Sequence, residues 1–348
     1  MKTKEVTTFY GKMTFDGEHC FLCGEPLNSD NATVEHVFPK WLQRRNNLWD
    51  QTLRLLNGTT IKYRQLTVPC CKSCNGIFLS KIEKDMRVAM ENGTEFIRGI
   101  NKTVIYKWAI KILYCTLYKQ LSLKANLKDA TTETIITHDF LAQYKLIFDY
   151  MQSIRKDITI EENCSSVFIF DVLLSNDINK DFFYVDDILH AQIAMETNGI
   201  GIICTIGDAG ALNNRLKNYF YPFYQMRLSK IQHGQLIADV FYNRAILKDN
   251  VNIVFLPSGI VQLTPWVSEY KEFKQKEYAL VLYYILQRFG FQLQDLYSEK
   301  YDATMNFLID GDRRIITYNS EVTYCKGEIH TGCLGDIFEE KQVKGHLQ

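Results

Sequence analysis

Two pairs of cysteines share one spacing: Cys20-x2-Cys23 and Cys71-x2-Cys74. A two-residue spacer lets both sulfurs of a knuckle point at one metal, and Zn²⁺ prefers four soft ligands in a tetrahedron. The two knuckles together supply a complete Cys₄ shell for a structural zinc. Such a shell leaves no position for an activated water, so any hydrolytic chemistry must come from elsewhere. Cys70 adds an alternative, because Cys70-x3-Cys74 also reaches a metal. Cys71 is preferred, since its spacing to Cys74 repeats that of the first knuckle. A redox CxxC needs no second pair and wants a thioredoxin-like βαβ setting.

Between the knuckles stands Glu35-His36, and Asn75 directly follows the last cysteine. Imidazole titrates near neutrality and suits a general base. Carboxylate and amide oxygens suit a hard divalent ion such as Mg²⁺ or Mn²⁺. The order of knuckle, acid–His pair, second strand, second knuckle and Asn resembles the HNH (ββα-metal) endonuclease superfamily. It is most similar to the zinc-bearing branch that includes endonuclease VII and McrA-like nucleases. The match covers about residues 20–85, roughly a quarter of the chain.

That resemblance implies roles. His36 would take the proton from the attacking water. Glu35 and Asn75 would hold a catalytic Mg²⁺ or Mn²⁺, which would stabilise the transition state and the leaving 3′ oxygen. Many members carry a central Asn that orients the His. Asn57 is the one candidate at a similar place, and Asn57-Gly58 reads better as a hairpin turn. An extra acid or His often follows the last Asn by one turn. Phe78 stands there, and Glu83, a turn further on, reads better as a surface ion-pair partner.

The elements that must position these groups can be read locally. Gly24 closes the first knuckle's turn. Residues 33–37 form a strand, Pro39 opens a helix to about Leu48, and segments 51–56 and 59–68 flank the Asn57-Gly58 turn. A helix follows the second knuckle over residues 77–90. Lys40, Arg44 and Arg45 fall at near-helical spacing and are candidate phosphate-binding residues. Trp41 and Trp49 are expected in the core rather than as base-stacking platforms.

The fold class expected is α+β: a zinc-stapled ββα-metal module over residues 1–92, then a mixed α+β domain over 93–348. The boundary is set at Asn92-Gly93. In the second part, helices are expected over 96–122, 139–155 and 271–289. Strands are expected over 166–174, 189–194, 199–206, 304–309 and 314–318, with 234–263 mostly extended. Gly199-Ile200-Gly201 and residues 207–210 are glycine-rich without a P-loop's Lys. His138, His190 and His233 read as structural. Cys325, His330 and Cys333 are an incomplete metal set. The aromatic run Tyr219–Tyr224 reads as core packing, with a stacking surface as the other option.

The chain has 348 residues, 40 basic and 40 acidic side chains and 46% hydrophobic residues. Whole-chain charge says nothing about nucleic acid. From His36 to Arg87, however, ten Lys/Arg stand against three acids, which suits either an electrostatic footprint for phosphates or a solvated basic face. No stretch is long and apolar enough for a bilayer, and residues 1–15 lack a signal peptide's apolar core. The expectation is a soluble, cytoplasmic HNH endonuclease acting on DNA, with RNA as the other substrate, without a membrane partner. A restriction or anti-phage defence role fits by analogy alone. A homodimer, or a partner ATPase or sensor that activates the nuclease, is left open. The rival expectation is a zinc module that binds nucleic acid without cutting.

Overall fold

The computed structural model describes residues 5–126, 128, 133–175, 181–248, 252–263, 268–293, 295–312, 314–317, 324–325 and 328–329. The chain is mixed α+β, with 40% helix and 23% strand. It divides into two compact units. The first is Met1–Ser165 with Asn252–Leu263, and the second is Ser166–Val251 with Thr264–Gln348.

Unit 1 opens with a short antiparallel pair, β1 (Glu5–Thr7) and β2 (Lys12–Thr14). The first knuckle follows. Its turn closes through Gly24 N–H to Cys20 O (2.8 Å), with Gly24 at φ +74°, a region glycine enters without steric cost. β3 (Ala32–His36) pairs antiparallel with β6 (Thr67–Cys71), Glu35 opposite Val68 and His36 opposite Thr67. Between them lie α1 (Lys40–Arg45) and the hairpin β4 (Thr52–Arg54)–β5 (Thr60–Lys62). Pro39 caps α1, where its missing N–H costs nothing. Phe21 N–H donates to Pro69 O (3.0 Å), which ties the first knuckle to β6.

After β6 the chain enters a π-helical turn, Cys74–Leu79, that runs into α2 (Ser80–Glu91). Then come α3 (Thr94–Gly99), α4 (Lys102–Gln120), α5 (His138–Ala142), α6 (Lys145–Gln152) and β7 (Thr159–Ile160). The expected single helix over 139–155 is thus two. β7 joins a sheet with β13 (Asn252–Leu256) and β14 (Gly259–Leu263).

The division into units does not fall at residue 92. α4 is the reason. It is buried on nearly every side and packs on α2, α6 and β6. The chain after Asn92-Gly93 therefore supplies the core on which the knuckle segment rests. A local turn signal says nothing about which helix fills that core.

Unit 2 is built on a five-stranded sheet in the order β12-β8-β11-β10-β9. Its strands are β8 (Val167–Val172), β9 (Phe183–Asp187), β10 (Gln192–Thr197), β11 (Ile200–Thr205) and β12 (Arg227–Leu228). Asn198 and Gly199, both at positive φ, make the β10–β11 turn, which accounts for one glycine cluster. α7 (Ala211–Phe220) leads into the aromatic run, where Phe220 and Phe223 are fully buried and Tyr221 is exposed. α8 (Lys230–Ile246) packs on β8, β11 and α9 (Gln275–Arg288).

α8 corrects the expectation of extended chain over 234–263. The helix is buried all round, polar and apolar residues alike, so no apolar stripe opposite a solvated face marks its period and it reads like strand. The signal that could have found it is the capping box Ser229-x-x-Gln232, in which both reciprocal bonds form. Residues 252–263 are a hairpin, as expected for extended chain. Of the expected strands over 304–309 and 314–318, the described residues keep Thr304, at the end of a two-residue strand, and one bridge, Ile309–Ile315, while Tyr318 lies outside them. The strand pairs nearby are β15 (Tyr297–Ser298) with β16 (Ala303–Thr304), and β17 (Tyr324–Cys325) with β18 (Glu328–Ile329). His330, Cys333 and the side chain of Cys325 lie outside the described residues. Among the described residues no helix is long and apolar enough to cross a membrane.

Candidate metal centre and the strand beside it

Strand pairing brings the two knuckles together. Ala32 stands opposite Cys71 in the β3–β6 ladder, and the first knuckle is hydrogen-bonded to the same strand. The ligand sulfurs of Cys20, Cys23, Cys71 and Cys74 all lie within 4.8 Å of one another. Cys23 and Cys71 sulfurs are 3.8 Å apart. Four sulfurs at about 2.3 Å from a zinc would stand about 3.8 Å apart, so that edge already has tetrahedral length. Cys74 N–H points at Cys71 Sγ (3.4 Å), the amide-to-sulfur contact of a CxxC turn. These four residues can hold a metal ion such as zinc.

Cys70 is close as well, its sulfur 4.0 Å from that of Cys20. Yet neighbours on a strand point to opposite faces, and only Cys71 joins the four-sulfur group. S–H donation from Cys23, Cys70 and Cys74 pulls the Cys20 thiol far below its ordinary range. The same contacts push Cys74 far up and Cys23 up to about 12. A cation is what allows all four to ionise.

The acid–His pair divides across β3. Glu35 and Thr33 face inward, while Val34 and His36 share the outer face, whereas the HNH resemblance implies a bend at the strand end, at Phe38-Pro39, that turns both side chains to one site. Glu35 is buried, 4% exposed. Its Oε1 lies 2.5 Å from Lys111 Nζ, an ion pair rather than a well-aligned hydrogen bond. Lys111, on α4, also contacts Glu83 Oε1 (2.9 Å) and donates to the carbonyls of His36 (2.6 Å) and Val37 (3.0 Å). Two carboxylates thus share one buried ammonium. Burial pushes the Glu35 carboxyl up to about 7, with Lys111 opposing and Glu83 adding to the rise. Burial alone would lower Lys111, but Glu35 and Glu83 reverse that and hold it charged. Glu83, expected at a surface ion pair, is part of this buried one.

His36 is half-buried. Burial, then the charges of Lys40 and Lys111, lowers its pKa below the ordinary histidine value, with Glu83 opposing. Among the described residues no hydrogen bond reaches either of its ring nitrogens. Its ring instead lies near-parallel to Trp49, centroids 6.2 Å apart and planes at 22°. Trp49 is 39% exposed, which corrects its expected place in the core, whereas Trp41 is half-buried.

Asn75 sits at the start of the π-helical turn, whose Ser80 N–H closes onto Asn75 O. Its Nδ2 donates to Val34 O (2.9 Å) and Thr33 Oγ1 (3.2 Å). The amide is thereby clamped to β3 by its nitrogen, which leaves Oδ1 as the end available to a ligand. Asn57 is exposed and serves its turn, donating to Ala125 O and accepting from Thr59. It orients nothing at His36. Lys40 and Arg44 are exposed and Arg45 half-buried, on and around α1 directly after β3.

The three histidines expected to be structural have partners. His138 meets Phe15 O, His190 meets Asp187, and His233 meets Glu196. No protein-family model, no curated protein and no solved structure matches this chain.

Proposed function

We propose that unit 1 carries a metal-dependent nuclease of HNH type, stapled by a structural zinc on Cys20, Cys23, Cys71 and Cys74. The observation that carries this reading is the Asn75 amide clamped to Val34 O. It sets the residue after the last knuckle cysteine against the strand that bears Glu35 and His36. The zinc then acts as a positioning device, because its ligand Cys74 immediately precedes Asn75.

His36 is suited to a base. Its lowered pKa keeps the imidazole neutral at pH 7, and both ring nitrogens are free to meet water. It takes a proton from water as the oxygen attacks phosphorus. The bond to the 3′ oxygen breaks, and that oxygen is protonated from solvent. Lys40, beside His36, meets a neighbouring phosphate. A divalent ion such as Mg²⁺ or Mn²⁺ would supply charge stabilisation. Its donor set is half met: Asn75 offers Oδ1, whereas Glu35 is committed to Lys111. As placed, Glu35 is a poor ligand, and His36, Lys40 and Asn75 carry the reading.

That commitment favours the second reading, a zinc module that binds nucleic acid without cutting. The deciding experiment is cleavage of plasmid and single-stranded DNA with Mg²⁺ or Mn²⁺, with His36→Ala alongside. Metal-dependent cutting lost in His36→Ala supports the nuclease. DNA binding without cutting under either metal, with zinc bound and the fold intact, supports the binding module.

A further inference from the structure

Trp49 occupies an unusual place for a large aromatic residue. Its ring is exposed, yet its backbone is pinned. Leu48 before it is fully buried, and Leu48 N–H donates to Gln43 O (2.8 Å). Gln51 N–H donates to Leu48 O (2.9 Å), and Tyr63 N–H to Gln51 O (3.0 Å). Asp50 is held between Lys62 and Arg64. The ring is therefore displayed by an ordered turn.

What it is displayed against is His36, in near-parallel contact. The imidazole has no hydrogen-bond partner among the described residues, and Asn57 is turned elsewhere. Packing has to orient it, and Trp49 is the aromatic ring that lies along it. On the same outer face of β3, Val34 is 56% exposed. His36 thus stands beside the cation Lys40, the exposed ring of Trp49 and the exposed Val34 of its own face.

Resting on the nuclease reading, we propose that Trp49 is a positioning residue for His36 whose outer face stacks an unpaired base beside the scissile phosphate, making DNA with unstacked bases the substrate. Inside a duplex both faces of a base are covered by its neighbours. A fixed ring beside the reacting histidine meets a base face only where the strand is single or locally open. Base–aromatic stacking is sequence-tolerant, because every base has a π-face, and is worth roughly 5- to 150-fold in affinity per base.

The test uses the full chain and two probes, single-stranded dT12 and a 12-base-pair duplex, first without added divalent ion so that binding is read without cleavage. Trp49 fluorescence is taken as the difference between wild type and Trp49→Phe. Quenching by dT12 is expected, with about tenfold or greater loss of dT12 affinity in Trp49→Ala, retention within about threefold in Trp49→Phe, and unchanged duplex affinity. With Mn²⁺ added, Trp49→Ala should raise KM for dT12 through lost stacking and lower kcat through the disordered imidazole, with Trp49→Phe restoring both. Equal losses on both probes, or none on either, would overturn the proposal. The two readings fail separately. A wild type that cuts while Trp49→Ala cuts both probes as well refutes the role of Trp49 and leaves the nuclease. Quenching and selective dT12 binding without cutting under any metal refutes the nuclease and the positioning role, and retains the stacking surface.

Discussion

Replacing Lys111 with Met is the sharpest probe of unit 1. Lys111 is 2% exposed and Glu35 4%, so neither charge can turn to water without opening the unit. The ammonium also satisfies the carbonyls of His36 and Val37. Methionine keeps the length and apolar stem but leaves Glu35 buried without its cation. Breaking a buried pair from one side costs about 3–5 kcal/mol. With a urea slope of about 3 kcal/mol/M, the midpoint should fall by about 1–1.7 M. Adding Glu35→Gln removes a carboxyl that must otherwise take up a proton or stay ionised without its cation, and should recover at least half of that loss. The assay is urea unfolding of the zinc-loaded chain, followed by metal release to a chromophoric chelator and by far-UV circular dichroism. A Lys111→Met cost under about 1 kcal/mol, or a double variant no better than the single, would refute the argument that this ion pair is buried and needed.

Four other outcomes are expected. Cys71→Ser should lose the metal and unfold unit 1, while Cys70→Ser keeps both, as read by metal content and circular dichroism; the reverse pattern would move the ligand to Cys70. If the chain cuts DNA, His36→Ala should slow cleavage by about 10²–10⁴-fold with zinc content constant. The acid limb of kcat/KM should then fall below pH 6.5, because a base with a lowered pKa loses its proton-accepting form only at lower pH; a limb above 6.5 would contradict the burial argument. In unit 2, burial pushes the Asp239 carboxyl up to about 7 against opposing bonds from Tyr278 and Tyr219. Between pH 3.8 and 7 the native state keeps a proton that the unfolded state releases, so stability should fall as pH rises, by up to about 4 kcal/mol. Asp239→Asn should flatten that slope in thermal melts across pH, and an unchanged slope would show that the carboxyl is ionised in the native state.

How much was legible in advance differs by site. The four cysteines were, because two-residue spacing makes each knuckle a self-contained turn and Gly24 supplies its positive φ. The strand at His36, the Pro39 cap and the Asn57-Gly58 turn were legible for the same reason: each is decided by residues within a few positions. The burial of Glu35 was only half legible. Alternation along a strand already sets Glu35 and His36 on opposite faces, but the identity of the inner face's partner depends on Lys111, far along the chain. Trp49 was misplaced because size and apolarity favour the core, while its exposure follows from a turn pinned by Leu48, Asp50 and Gln51.

By itself, then, the sequence determined the four candidate metal-ligating cysteines and the local frame that presents them, since short-range geometry and ligand softness act within single turns. Only the tertiary structure decided which helix fills the core beneath the knuckles, which charge neutralises Glu35, and that α8 is a helix buried on every side. Those outcomes rest on contacts between residues distant in the chain, where burial selects one partner among many and no local period records the choice.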